Sequence, residues 1–593
     1  MITVEARLRQ LRKAMAKANI DALILPSNDP HQSEYVAEYW KVREYFSGFT
    51  GSAGVLIVLA DYAALWTDSR YFLQAEKELE GSGIVLHRLV QQTAPEHLHW
   101  LIDYLPEGST IGGEADMFSV HQVYYLERLG RSKSIQIKAA KNIIGTVWKK
   151  RPDMPGSIAY DFDIKYAGVS REDKLARLRA FMKEKGVNYY FVTALDEIAW
   201  LLNIRAWDVD FMPVVLSYLL VGEKNATLFV KDYKIPNPLK EKLKAAGIAL
   251  KDYGSIIHGL GAISTHKAVY ADKHNFSWKC QMSMHDNIIL GESVITPWMS
   301  IKNPTEIQHF KDVMVKDGVA LVKLYRWLED TLGNRSVKET EVATQLAKFR
   351  SEQEGYKGES FPAIVGYESN GAIVHYRPKE EDCASIEKEG MLLLDSGGQY
   401  INGTTDITRT VHFGTPTPEQ RKHYTLVLKG NIALQTVHFP KGTTGAQLDA
   451  LARFPLWREG LDYGHGTGHG VGFFLGVHEA PQGFAPNIKS TRGATPIEEN
   501  TVSSNEPGYY QSGAYGIRIE NLMQCVPSNK NPDFLAFEVL TLFPIATNMI
   551  DNSLLNYPER VWLNRYHRRV YSALSPYLGE KDRAWLWSHC EAI

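Results

Sequence analysis

Cysteine is nearly absent from this sequence: Cys280, Cys383, Cys525 and Cys590 are the only four in 593 residues. They stand far apart with no short paired spacing. That argues against a disulfide framework or a cysteine zinc site and makes a reducing compartment the expectation. An excess of charge of one sign is missing too. The 66 Lys and Arg stand against 68 Asp and Glu, a net −2, so nothing electrostatic points to nucleic acid or an anionic membrane. No run approaches the roughly 20 apolar residues that span a bilayer; even Val214–Val221 is broken by Ser217 and Tyr218. The opening residues, Met1 to Arg7, lack the apolar stretch of a signal peptide. A soluble, cytoplasmic protein is expected.

What is present has the composition of a globular protein, 44% hydrophobic and 23% charged. Its length exceeds what one hydrophobic core ordinarily serves, so several domains are expected. Val4, Leu8, Leu11 and Met15 recur at helix spacing, and the strand candidate Ala22–Leu25 follows. Gly54–Leu59 and Ala63–Thr67 read as two further strands. The same order returns further on: Leu175, Leu178 and Phe181 repeat helically, Gly186 ends the helix, and Tyr189–Val192 reads as a strand. Two similar α/β domains are therefore predicted, 1–156 and 157–300, with boundaries in the proline-bearing stretches 149–156 and 296–304. A third domain, 301–593, opens with an amphipathic helix on Ile307, Phe310, Met314, Leu321, Leu324 and Leu328, starting at Thr305–Glu306. It ends in an aromatic, basic helical extension (about 550–593), read as a packing or dimer-facing appendage.

From about residue 361 to 545 the sequence becomes strand-like, glycine-rich and dense in Asp, Glu and His. Asp395 follows four apolar residues, Met391 to Leu394, where an unpaired charge would be costly to bury. Asp406, Thr408 and Thr410 alternate with Ile407 and Val411 as on a strand. Asn402-Gly403 between the two segments signals a hairpin. A minimal Asn-Gly turn would set Asp406 opposite Gln399 and leave Asp395 about 13 Å along the strand. A wider loop, or a bulge at Gly397-Gly398, is therefore expected to bring the carboxylates together. His465 and His469 sit in Gly464–Gly472, where glycine at every second position disfavours a helix and allows close backbone approach. The spacing fits no phosphate-binding loop. His478 follows. Glu506 is held extended by Pro507, and Arg518 and Glu520 alternate with Ile517 and Ile519, on one strand face.

Taken singly, each feature has an ordinary reading: a strand-end cap, a turn histidine, an exposed loop carboxylate. Together, two Asp, two Glu and at least one His beside glycine suit a binuclear divalent-metal site. Such oxygen-rich ligation favours Mn²⁺, Co²⁺, Fe²⁺ or Zn²⁺ over copper or an iron–sulfur cluster. Two such ions about 3.5–4 Å apart can share a water, lower its pKa and polarise a carbonyl. That chemistry is hydrolysis.

In four segments the sequence resembles the pita-bread metallopeptidases, and among them the Xaa-Pro aminopeptidases of the long, three-domain type. These are Asn370–Tyr376, Leu394–Gly397 running to Asp406–Thr410, Gly464–Gly472, and Asn505–Gly508 with Arg518–Asn521. The stretch Trp66–Gln74 is similar as well. The resemblance implies two creatinase-like α/β domains followed by a pita-bread catalytic domain. It implies hydrolysis of the bond before a proline at the second position of a peptide. Asp395, Asp406, His469, Glu506 and Glu520 match the five metal ligands, with Asp406 and Glu520 bridging and Glu506 also assisting the attacking hydroxide. His375, His465 and His478 match substrate-side histidines that position the peptide, stabilise the oxyanion or protonate the leaving group. Arg518 and Tyr510 match supporting residues, and Arg70 would reach the substrate from the N-terminal domain of the same or the partner subunit. Two divalent ions, Mn²⁺ foremost, and a homodimer are implied.

Four alternatives share parts of this pattern. Methionine aminopeptidase is disfavoured by the long N-terminal half, and creatinase-like enzymes by the complete ligand set. A prolidase would cleave dipeptides only. A non-enzymatic pita-bread binding module would lack ligands, and none is missing here.

Overall fold

The computed structural model describes residues 3–90, 95–285 and 287–593. It divides into two compact units, Met1–Ile295 and Thr296–Ile593.

The first unit begins with helix α1 (Val4–Lys17), capped by the Thr3 hydroxyl and burying Leu8, Leu11 and Met15. Six strands follow: β1 (Ala22–Pro26), β2 (Val55–Leu59), β3 (Ala63–Thr67), β4 (Val85–Arg88), β5 (Thr110–Gly113) and β6 (Gln136–Ala139). They lie in the order β4-β3-β2-β1-β5-β6. The uninterrupted apolar runs of β1 and β2 suit strands covered on both faces.

Helix α2 (Arg171–Lys185), capped by Ser170 and ended at Gly186, then opens a second copy of this arrangement. Its strands are β7 (Tyr189–Val192), β8 (Tyr218–Gly222), β9 (Ala226–Phe229), β10 (Ile248–Lys251), β11 (Val269–Asp272) and β12 (Ile288–Gly291). Their order, β10-β9-β8-β7-β11-β12, repeats the first sheet. Each parallel or antiparallel pairing repeats as well. The recurrence of helix, turn and strand in the sequence is thus a structural duplication. His31 ties the halves together: Nδ1–H donates to Thr193 O at 2.7 Å, and Nε2 accepts from Tyr253 Oη at 2.9 Å. Burial lowers its pKa and keeps the ring neutral, as this pattern requires.

The second unit starts on α3 (Pro304–Leu332). Its cap is Asn303, in a capping box with Glu306 and with Pro304 in the first turn. The Thr305–Glu306 start read from the sequence lies just inside this cap. The region expected to be strand-like also contains two helices, α4 (Pro418–Thr436) and α5 (Gly445–Trp457). The aromatic end of the chain forms α6 (Tyr557–Leu574), which buries Leu563, Tyr566, His567, Val570 and Leu574. No helix among the described residues is long and apolar enough to cross a membrane.

Candidate metal centre

Two hairpins, each interrupted midway, carry the four carboxylates. In the first, β13 (Met391–Ser396) pairs with β16 (Ile407–His412), placing Asp395 opposite Thr408 and Ser396 opposite Ile407. Past the interruption β14 (Gly398–Tyr400) pairs with β15 (Gly403–Thr404), Tyr400 facing Gly403. The turn residues are therefore Ile401 and Asn402, not Asn402 and Gly403. This moves Asp406 to the level of Gly397, two residues from Asp395. The wider loop or bulge expected from the sequence is not needed. Gly397 makes the approach possible, since a Cβ there would lie 2.0 Å from Thr405 O. Ser360 fills the opened ladder, its N–H donating to Gly397 O and its hydroxyl to Thr405 O, both at 2.9 Å.

The second hairpin has the same design. β19 (Val502–Asn505) pairs with β22 (Asn521–Pro527), Asn505 facing Asn521. Beyond the break β20 (Gly508–Gln511) pairs with β21 (Tyr515–Arg518), Gly508 facing Arg518. Glu506 and Glu520 stand level with each other in the gap. Asn431, from α4, bridges that gap by donating to Asn505 O at 2.9 Å and Ile519 O at 3.0 Å. Glu520 N–H donates to Thr408 O at 3.1 Å, which stitches the two hairpins together. Arg409, fully buried, reinforces the seam through Thr408 O, Glu520 O, Asn521 Oδ1, Phe543 O and Pro544 O, and through Tyr566 Oη of α6.

His469 enters on a third element. Its strand, β17 (Gly468–Gly470), lies between β18 (Glu479–Phe484) and β19. Only glycine fits at 468, where a Cβ would come 2.0 Å from Ser504 O. From α5, Arg453 fixes the preceding turn by donating to Tyr463 O at 2.7 Å and His465 O at 2.6 Å. The His469 Nδ1–H donates to Gly470 O at 2.9 Å, so Nε2 carries the lone pair. That nitrogen is 3.4 Å from Asp406 Oδ2 and 3.5 Å from Glu506 Oε1. One ligand atom each of Asp406, His469 and Glu520 lie within 4.8 Å of one another.

The electrostatics call for cations. Burial, then the charges of Glu520, Asp395 and Glu506, hold the Asp406 carboxyl well above its usual pKa. Burial and Asp395 do the same to Glu520. Burial pushes Glu506 up to about 7, with Asp395 adding to it and Arg518 opposing. Burial, with His478 and Arg492 beside it, keeps His469 neutral. Ionised together, the four carboxylates would outnumber the Arg518 and Arg492 charges near them, an excess that protons relieve in the metal-free protein and that bound cations would relieve in their place. Asp395 shows where a cation would be received. Its Oδ2 accepts from Arg518 Nη2 at 2.6 Å and Nε at 3.2 Å, while its buried Oδ1 has no hydrogen-bond partner. The donor set therefore fits divalent cations that take oxygen with one imidazole.

Around the cluster, Arg518 Nη1 donates to Tyr510 Oη at 2.6 Å, and Tyr510 Oη to His465 Nε2 at 2.8 Å. The His465 Nδ1–H is committed to Gly466 O at 2.8 Å, which sets this polarity. The His478 ring meets His469 edge-on, centroids 4.3 Å apart, and its neighbour Glu479 forms a buried ion pair with Lys302. His375 occupies a turn whose preceding carbonyl, Val374 O, accepts from Arg518 Nη2 at 3.4 Å. Arg70 belongs to the first unit, where Nε and Nη2 both donate to Asp68 at 2.8 Å. The sequence reading did not single out Thr408, Arg409, Asn431 or Ser504. Thr408 donates to Glu520 Oε2 at 2.8 Å, and the Ser504 hydroxyl accepts from His469 N at 3.0 Å. Thr408 and Arg409 lie inside a quoted motif, so their position was a usable signal. Asn431 and Ser504 carried none.

The chain matches the model of metallopeptidase family M24 over residues 308–527. It matches creatinase/prolidase N-terminal domains over 7–147 and 150–306, and the C-terminal region of peptidase M24 over 533–593. It is 40% identical to aminopeptidase P2 of Arabidopsis thaliana, covering 100% of this chain and 89% of that one. A probable Xaa-Pro aminopeptidase P of Laccaria bicolor is 39% identical, with 100% and 94% covered. A solved X-prolyl aminopeptidase from Caenorhabditis elegans, described as a cytosolic enzyme with a di-nuclear active site, superposes with a TM-score of 0.96 at 32% identity, covering 100% of both chains.

Proposed function

The chain belongs to metallopeptidase family M24, among its Xaa-Pro aminopeptidases, and from this we propose that it removes the N-terminal residue from peptides whose second residue is proline. The observation that carries the reading is the convergence of Asp406, His469 and Glu520 within 4.8 Å, beside an Asp395 oxygen with no other partner. Asp395, Asp406, His469, Glu506 and Glu520 would hold two divalent ions, with Mn²⁺ the first choice. Such ions supply positive charge that polarises a carbonyl and acidifies water.

The protein's own residues do the rest. Arg518 grips one Asp395 oxygen and leaves the second for an ion. Burial opposes the Arg518 charge, but Tyr510, Asp395 and Glu506 hold the guanidinium well above its ordinary pKa. His469 presents a fixed lone pair. Glu506, accepting from the Ser504 hydroxyl at 3.3 Å, is placed to take up a proton during attack. His375, His465 and His478 are assigned to the substrate side: His375 and His478 would hold the peptide's carbonyls or return a proton to the leaving amine, while His465, both ring nitrogens engaged by Gly466 O and Tyr510, would act through Tyr510. Tyr510 supports His465, and Arg70 is assigned to substrate contact. The reading extends to three domains (1–156, 157–300, 301–593), a homodimer, and a cytoplasmic location like that of the worm enzyme.

The test is hydrolysis of Arg-Pro-Pro against Arg-Ala-Pro after chelation, with and without Mn²⁺. Metal-dependent cleavage of the first alone is expected. Cleavage of Xaa-Pro dipeptides but not of tripeptides would instead make the enzyme a prolidase.

A further inference from the structure

We propose that Glu339 is a positioning residue for this reaction: its buried carboxylate fixes the loop that carries His375. The inference rests on the reading of His375 as a substrate-side histidine.

Glu339 opens the helix Glu339–Ser351 and is 0% exposed. A carboxylate so buried needs full compensation. It receives it from neutral donors: Tyr367 N–H at 2.7 Å, Asn370 Nδ2 at 3.0 Å, Tyr376 Oη at 2.8 Å and Ala384 N–H at 2.8 Å. The helix N-terminus adds a favourable partial charge. These donors are not scattered. Tyr367 and Ala384 mark the two ends of one loop, while Asn370 and Tyr376 flank His375. The Glu339 N–H also donates to Ala384 O at 3.1 Å, so one residue closes the whole segment.

Within the loop the backbone turns tightly, Ile373 N–H to Asn370 O at 3.1 Å and Tyr376 N–H to Ile373 O at 2.9 Å. His375 thus sits between two anchors. On one side Val374 O meets Arg518, the guanidinium that grips Asp395. On the other, Tyr376 Oη meets Glu339. Moving the second anchor shifts the imidazole relative to the carboxylate cluster without touching a metal ligand. A glutamine at 339 would keep the shape but turn an NH₂ group toward two of the donors, and the loop would have to give way.

The experiment is a double-mutant cycle on Arg-Pro-Pro hydrolysis. Glu339→Gln and Tyr376→Phe are each made alone and with His375→Ala, with metal content and thermal unfolding measured for every variant. In the wild-type background kcat/KM is expected to fall about 100-fold for Glu339→Gln, the effect of an ångström-scale misplacement, and about 10-fold for Tyr376→Phe. Bound metal should be unchanged. In the His375→Ala background either substitution should cost less than about twofold, because its target is gone. Full additivity with His375→Ala would overturn the proposal. Wild-type kinetics for His375→Ala alone would overturn the assignment of His375 beneath it, a result told apart by the single variant. If Glu339→Gln does not fold, the Tyr376→Phe cycle decides on its own.

Discussion

Arg518 and Asp395 meet through one carboxylate oxygen: both guanidinium contacts fall on Oδ2, at 2.6 and 3.2 Å, and Oδ1 is left buried without a partner. Under the proposed two-ion reading, that asymmetry presents Oδ1 to an ion. A lysine could supply the charge but not the fork, nor the third donor to Tyr510. Arg518→Lys is therefore expected to weaken metal binding and kcat/KM by about 10–100-fold, the usual effect of losing a residue that orients a ligand. Titration of the chelated protein with Mn²⁺, beside steady-state kinetics, checks both. Unaltered metal affinity would contradict the orienting role.

The crowding of carboxylates gives the metal-free protein a pH signature. Glu506 is pushed up to about 7 from an ordinary value near 4, and Asp406 and Glu520 are raised as well. The folded state then holds protons that the unfolded chain releases. Stability from these groups is complete below about pH 4 and is lost as pH rises through about 7. With chelator present, the thermal midpoint should be higher near pH 5.5 than near pH 8. Saturating Mn²⁺ should remove that slope, and Glu506→Gln should reduce it. An equal slope with and without metal would contradict the shared-charge picture.

The C-terminal helix is joined to the seam between the hairpins. Arg409 Nη2 donates to Tyr566 Oη at 3.0 Å while Nη1 holds Glu520 O at 2.6 Å. Tyr566→Phe should cost about 1 kcal/mol in urea unfolding. Arg409→Met, which strands several buried acceptors at once, should cost more than about 3 kcal/mol. Equal, negligible losses would mean that α6 is a separable appendage.

Local residue patterns marked the elements but not their register. Alternation around Ile407 and Val411 marked a strand, and Gly464–Gly472 marked a place of close approach. The turn was misplaced because Asn-Gly is the favoured local signal, whereas the ladder runs through Tyr400 and Gly403. Tertiary pairing overrode propensity by one residue, enough to decide whether two carboxylates meet. Helix α4 was illegible for another reason: it buries Gln420, His423, Asn431 and Gln435 alongside its apolar residues, so it shows no clean stripe. Its start was readable, since Thr417 and Gln420 form a capping box around Pro418. The repeated α/β half was legible because both copies carry the same helix, turn and apolar strand.

Asn431 is the clearest residue that only the structure reveals. Asn431→Ala would leave Asn505 O and Ile519 O without their donor, at a cost of about 1–3 kcal/mol. Because those carbonyls flank Glu506 and Glu520, Mn²⁺ affinity should fall with stability. Loss of stability with intact affinity would confine Asn431 to a packing role.

We propose that one cluster of five side chains holds a pair of divalent ions and that this centre hydrolyses the bond before proline. The most direct measurement is calorimetric titration of chelated protein with Mn²⁺, wild type against Asp406→Asn, with Arg-Pro-Pro turnover followed on the same samples. Two ions per wild-type chain, with activity returning as they bind, are expected. The asparagine variant should stay folded, bind fewer ions and not turn over. Full turnover by Asp406→Asn, or by wild type carrying no metal, would contradict the account.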